Sequence, residues 1–87
     1  MAFTYIVKCR DNSLYTGSTK NLYERVIKHN LKKGAKYTRG RCPVVLVYFE
    51  EFENYNDALA RESKIKKLTK KEKNLLINQI KYCPISF

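Results

Sequence analysis

Apolar and polar positions divide the chain into short blocks of differing period. Phe3-Thr4-Tyr5-Ile6-Val7-Lys8-Cys9 is β-branched and aromatic, the turn formers Arg10-Asp11-Asn12-Ser13 follow, and Leu14-Tyr15-Thr16-Gly17-Ser18 resumes strand character. Residues 3–18 are therefore predicted as a β-hairpin. Alternation along the first strand places Phe3, Tyr5, Val7 and Cys9 on one face and Thr4, Ile6 and Lys8 on the other. From Asn21 the period becomes helical, with Leu22 and Val26 beside Tyr23, Ile27 and Leu31 forming a broad apolar stripe. Asn21 with Glu24 three residues on resembles a capping pair, and Gly34 is a plausible stop. Gly34 to Pro43 is expected to be a loop, with Lys36, Arg39 and Arg41 around Tyr37. Val44 to Phe49 is apolar at every position, which predicts a strand covered on both faces. Asn54 to Asn56 form a turn, and Asp57 to about Leu68 is predicted as a second helix. Thr69-Lys70-Lys71-Glu72 has the spacing of a capping box and opens a third helix through Ile80. The order β-β-α-β-α-α predicts an α+β fold: a small three-stranded, mostly antiparallel sheet flanked by about three helices.

Composition narrows the class. Eighty-seven residues suit one domain spanning 1–87, and 13% aromatic residues with three Gly and two Pro argue against disorder or a linker. No long apolar run suggests a membrane span, and the N-terminus lacks the pattern of a signal peptide. Cys9, Cys42 and Cys83 are too scattered, with one His in the chain, for a zinc site, and are expected to be reduced thiols in a cytoplasmic protein.

The net charge of +10 is uneven: residues 1–49 carry ten basic and two acidic groups, 50–62 one basic and five acidic, and 63–87 seven basic and one acidic. Charge this dense on a small body calls for a polyanion, nucleic acid before anionic membrane, although a generically soluble basic protein has the same arithmetic. The acidic stretch Glu50-Glu51-Phe52-Glu53 suits either a protein partner or a solvated strand edge.

Several residues fit packing alone less well. Leu59, Ile65 and Leu68 mark the apolar stripe of the second helix, and Glu62 falls on it or at its edge. A carboxylate there needs a cation, a hydrogen-bonding partner or a wet cleft, unless it snorkels outward or pairs with a lysine. Arg25 and His29 lie four apart and project from one helix face, either as an ordinary solvated flank or as a guanidinium and imidazole presented together. Tyr5 and Tyr15 flank the hairpin turn and share a sheet face, a placement equally natural for packing tyrosines. Together they make a set able to work on a phosphodiester: groups that activate a nucleophile, cations for the phosphate, and one carboxylate suited to a hydrated divalent ion.

This constellation resembles the GIY-YIG nuclease superfamily. The resemblance runs through Thr4-Tyr5-Ile6, Tyr15-Thr16-Gly17, Arg25, His29, the Gly34 to Arg41 loop, Glu62 and the Leu68 to Ile77 segment, covering roughly residues 3–77. It is most similar to the small stand-alone members. Thr4 stands where the first motif has glycine, and Thr16 where the second has isoleucine. The resemblance implies divalent-metal-dependent phosphodiester cleavage, with Mg²⁺ the expected ion and Mn²⁺ the substitute. Glu62 is implied as metal ligand, Arg25 as contact to the scissile phosphate, Tyr5 as general base assisted by His29, and Tyr15 as a shaping residue. Tyr37 matches a position near the phosphate. Asn74 is the candidate for a further asparagine, with Lys73 and Asn78 as alternatives. The nucleic acid is expected to be held by Gly17, Lys36, Tyr37, Arg39, Arg41, Lys66, Lys67, Lys70 and Asn74.

The expected function is thus an endonuclease of little sequence specificity, acting on DNA more than RNA, with branched, flapped or single-stranded forms as the finer expectation. The rivals are a non-catalytic DNA- or RNA-binding module with a vestigial site, and a nuclease subunit that needs a protein partner. The expected state is a monomer or weak dimer.

Overall fold

The computed structural model describes residues 1–80. In chain order the elements are β1 (Ala2–Lys8), β2 (Leu14–Thr19), α1 (Leu22–Asn30), α2 (Lys36–Arg39), β3 (Val45–Phe52), α3 (Tyr55–Lys66) and α4 (Lys70–Ile80). The strands form one sheet in the order β2-β1-β3, and both pairings are antiparallel. The architecture is the expected α+β, and among the described residues one short helix joins the three expected ones. The additional one, α2, lies inside the segment expected to be a loop. Cys83 falls outside the described residues, while Cys9 and Cys42 are free thiols.

Local chemistry sets the element boundaries. Asn12 turns the hairpin in the left-handed region at φ 69°, a conformation its short polar side chain tolerates. The Asn21 side chain accepts a hydrogen bond from the Glu24 N–H, and Asn54 does the same for Asp57 N–H, so α3 begins two residues earlier than predicted. The capping box at α4 forms reciprocally: Thr69 N–H donates to Glu72 Oε1 at 2.9 Å and Glu72 N–H to Thr69 Oγ1 at 3.1 Å.

The sheet is covered on both faces. On the α1 side Tyr5, Val7, Cys9, Val26, Val44 and Leu46 pack together, with Tyr15, Leu22 and Phe49 against them. On the α3–α4 side Ile6, Val47, Tyr48 and Ile65 form a second cluster, joined by Leu14, Val45, Leu68, Leu76 and Ile77. The uniformly apolar β3 feeds both clusters. Ile6 faces Tyr48 and Val7 faces Leu46, which leaves Val47 as a bulge that turns two successive residues to one side.

Two apolar stripes differ from expectation. On α1, Tyr23 and Leu31 are each 60% exposed, because only the Leu22–Val26–His29 side meets the sheet. On α3, Leu59 faces outward and Ala58 is fully buried, so the stripe runs Ala58, Glu62, Ile65. A small residue wins the central place because the backbone comes close there: Thr4 Oγ1 donates to the Ala58 carbonyl at 2.6 Å. The threonine that stands in the first motif's glycine position is thereby the tie between β1 and α3.

Candidate active site

The site is organised around one glycine on an edge strand. Tyr5 on β1 pairs with Gly17 on β2, and a Cβ at Gly17 would lie 2.6 Å from the Tyr5 hydroxyl. The bare backbone of β2 is what lets the phenol lie across it. Tyr5 is fully buried, and its hydroxyl meets two side chains of α1. Arg25 Nε donates to it at 3.3 Å, and His29 Nε2 lies 2.9 Å away. Residues four apart on a helix face one way, so α1 delivers the guanidinium and the imidazole to one oxygen.

His29 is no solvated flank: it is completely buried between Tyr5 and Thr38, with its Nδ1 2.7 Å from Thr38 Oγ1. Gly34 packs against the imidazole so closely that any side chain there would strike Nδ1. Burial, assisted by the Arg25 charge, pushes the His29 pKa from 6.5 down to about 4, so the ring is neutral near pH 7. Burial likewise pushes the Tyr5 phenol from 10.0 up to about 12, and Arg25 opposes the rise. In the free protein the phenol is therefore protonated near pH 7 and a poor base.

Glu62 approaches the same edge from the other face of the sheet. Its Oε1 accepts from Ser18 Oγ at 2.6 Å and its Oε2 pairs with Lys66 Nζ at 2.7 Å. Its charge is one of the influences raising the Tyr5 pKa. A cavity of about 460 Å³ opens at the end of β2, lined by Ser18, Thr19, Lys20, Arg25, Lys28 and Tyr55. A neighbouring one of about 220 Å³ shares Thr19, Lys20, Arg25 and Lys28. Thr16, two residues from Ser18 on the same strand face, has a buried hydroxyl without a partner among the described residues.

An aromatic wall continues from the buried phenol to the surface. Tyr15 lies 5.4 Å from the His29 ring and stacks on Tyr37 at 5.9 Å, and the Arg41 guanidinium covers Tyr37 at 4.2 Å. Arg41 also donates to Tyr37 O at 2.7 Å and to Asp11 Oδ2 at 3.1 Å, so it braces the loop. Lys36 and Arg39 are exposed on α2. Lys66 is engaged by Glu62, Lys67 and Asn74 are exposed, and Lys70 lines a separate cleft of about 200 Å³ with Ser13, Leu14, Tyr37 and Lys73. The structure thus brings Tyr5, Tyr15, Gly17, Arg25, His29, Tyr37 and Glu62 to one strand edge, and leaves Lys67 and Asn74 on the α3–α4 surface. Sequence reasoning missed Ser18, Lys20, Lys28, Tyr55 and Thr38. The first could have been sought from the second motif, since it faces the same way as Thr16. Lys20 and Lys28 were hidden in a uniformly basic segment.

Residues 1–75 match the GIY-YIG catalytic domain. The chain belongs to the GIY-YIG family. Its relatives include a UPF0213 protein of Clostridium perfringens, 59% identical over 90% of this chain and 84% of the relative. A UPF0213 protein of Staphylococcus haemolyticus is 51% identical over 88% of this chain and 94% of the relative. Among solved structures, the UPF0213 protein BH0048 of Bacillus halodurans is 40% identical, with a TM-score of 0.58 over 91% of this chain and 85% of that one. Membership in the GIY-YIG family implies nuclease-type chemistry on nucleic acid, generally with a divalent metal. No helix among the described residues is long and apolar enough to cross a membrane.

The donor set of this GIY-YIG site fits a hard cation held loosely. No group of three or more His, Cys, Asp or Glu side chains is poised to hold a metal among the described residues. A single half-buried carboxylate beside the Ser18 hydroxyl, which itself lines the larger cavity, suits an ion that keeps most of its waters. Such an ion would compete with the Lys66 ammonium for Glu62.

Proposed function

We propose that the protein is a metal-dependent endonuclease that hydrolyses phosphodiester bonds in DNA with little sequence specificity, including branched, flapped or single-stranded forms. The reading is supported above all by the Tyr5 hydroxyl, which sits between a guanidinium and a neutral imidazole at the strand edge that the Glu62 carboxylate reaches from the opposite face. Arg25 would bind the scissile phosphate, and Lys20 and Lys28 its neighbours in the adjoining cavities. Glu62 would hold the ion, most naturally Mg²⁺ with Mn²⁺ able to replace it; that ion supplies positive charge to the phosphoryl oxygens and acidifies water. Tyr15 and Tyr37 offer an aromatic surface beside the phosphate path.

The perturbed groups suggest how Tyr5 works despite its high pKa. The phenol need not ionise beforehand if it takes a proton from the attacking water while passing its own to His29 Nε2. Imidazolium is disfavoured in the free protein partly by the Arg25 charge. A phosphate paired with Arg25 cancels that charge, so substrate binding itself raises the basicity of His29.

Supercoiled plasmid nicking with and without Mg²⁺ tests the reading. The expected result is Mg²⁺-stimulated nicking that falls by about 10²–10³-fold or more in Glu62→Ala, while DNA affinity in the variant persists. Tight, salt-sensitive binding with no stimulated nicking would replace the nuclease with a binding module; nicking that appears only on adding cell extract would make the chain a subunit.

A further inference from the structure

Thr38 is the one residue of the short α2 helix that is fully buried, and its hydroxyl is placed between two groups. It lies 3.0 Å from the Ala35 carbonyl oxygen and 2.7 Å from His29 Nδ1. A threonine hydroxyl has one proton, and a carbonyl can only accept. With that proton directed to Ala35, the oxygen can serve His29 only as an acceptor, so Nδ1 must carry the imidazole hydrogen. Nε2 is then a bare lone pair, facing the Tyr5 hydroxyl at 2.9 Å.

The other tautomer would reverse the polarity of the site. A hydrogen on Nε2 would donate to Tyr5, whose oxygen already accepts from Arg25 Nε. The phenol proton would then have to point away from both partners, making Tyr5 a donor to an approaching water and not an acceptor from it. We propose that Thr38 is a positioning residue which holds His29 as the Nδ1–H tautomer and so directs the Tyr5 proton inward. The inference rests on the nuclease reading for its consequence but not for its observation. In the step it enables, the water O–H bond breaks as a new O–H forms on Tyr5, and the original Tyr5 proton forms the Nε2–H bond of an imidazolium. Gly34 belongs to the same device, because only a residue without a side chain lets the ring sit where Thr38 reaches it.

The chain has one histidine, so its ring nitrogens give an unambiguous signal. Long-range ¹H–¹⁵N correlation spectra of the uniformly ¹⁵N-labelled protein at pH 7 are expected to show a protonated Nδ1 and an unprotonated Nε2. Tyr5→Phe and Thr38→Ser should keep that pattern, and Thr38→Val should lose it in favour of the Nε2–H form or a mixture. In the nicking assay Thr38→Val should lower the rate by about 10–100-fold with DNA affinity unchanged, and Thr38→Ser should restore it. A protonated Nε2 in the native protein would overturn the proposal, as would a switch of tautomer in Tyr5→Phe, which would make Tyr5 the controlling partner. An unchanged pattern in Thr38→Val would also overturn it. If that variant does not fold, Thr38→Ala takes its place with the same expectation. The spectra decide the tautomer even if no nuclease activity is found, so failure of the one reading is distinct from failure of the other.

Discussion

The two edges of the sheet carry the same three residue types and use them in opposite ways. At the β3 edge Tyr48 donates to the Glu50 carboxylate, and Arg61 Nε reaches both Glu50 oxygens at 3.1 and 2.9 Å. At the β2 edge Tyr5, Arg25 and Glu62 provide the same phenol, guanidinium and carboxylate, but Arg25 turns to the phenol and Glu62 to Ser18 and Lys66. Both phenols are pushed up to about 12, chiefly by burial. The order of the neighbours differs. After burial, the Glu50 anion is the larger influence at Tyr48 and reinforces the shift, with Arg61 opposing. At Tyr5 the Arg25 cation is the larger and opposes it, with Glu62 adding a smaller rise. One edge is a clip in which each charge answers another. The other keeps its cation and its anion on opposite faces of β2, Arg25 lining the cavities at that edge and Glu62 paired with Lys66 instead. A perturbed pKa alone therefore does not separate a site from a strut; the pairing pattern does.

Exchanging one carboxylate at a time should separate the two edges most sharply. Glu62→Ala is expected to lose most or all nicking while its thermal midpoint stays near that of the native chain. Glu50→Ala should keep its nicking rate and lose about 1–3 kcal/mol of stability in urea unfolding, since Tyr48 and Arg61 are left without their acceptor. Comparable rate losses in both variants would erase the distinction. The phenols make a second pair: Tyr5→Phe should slow nicking by about 10²–10⁴-fold, and Tyr48→Phe should cost about 1 kcal/mol of stability with no change in rate.

Acid should probe the two edges through stability. The folded pKa of His29, about 4, lies below its unfolded value of 6.5. As pH falls the unfolded chain takes up the proton first, so stability present above about pH 6.5 is lost on acidification, at up to ~1.36 kcal/mol per pH unit. Unfolding midpoints between pH 6.5 and 5 should show this slope in the native chain and in Tyr48→Phe, and a flat response in His29→Gln. The smallest effect belongs to the cations. Replacing Lys20 and Lys28 with alanine together should reduce the slope of log affinity against log salt by about 0.9 for each phosphate that these lysines neutralise. An unchanged slope would remove both from the nucleic-acid path.

Much of the frame was legible because it depends on local chemistry. The hairpin, the Asn21 cap and the capping box at Thr69 are written in adjacent residues, and Glu62 stood out because a carboxylate on an apolar stripe is costly. What escaped depends on neighbours distant in sequence. Leu59 outranks Ala58 in hydrophobicity, yet the close approach of β1 through Thr4 gives the buried place to the smaller residue. Tyr23 and Leu31 continue the α1 stripe on paper, but the face of α1 that meets the sheet is the one carrying Val26 and His29. His29 was placed on the correct face, while its burial required α2, a single helical turn within a basic stretch that carries no helical period. Thr38 and Ser18 act through one hydroxyl each, and nothing in their own neighbourhood announces the partner.

The pairing of Tyr5 with Gly17 also has an electrical meaning. Arg25 and Glu62, if free to meet, would form an ordinary ion pair and quench each other, as Arg61 and Glu50 do. The β2 backbone stands between them as a separator does in a battery, keeping opposite poles apart. On the proposed reading, a phosphate backbone passing along that edge would answer the Arg25 pole, and a cation carried with it the Glu62 pole.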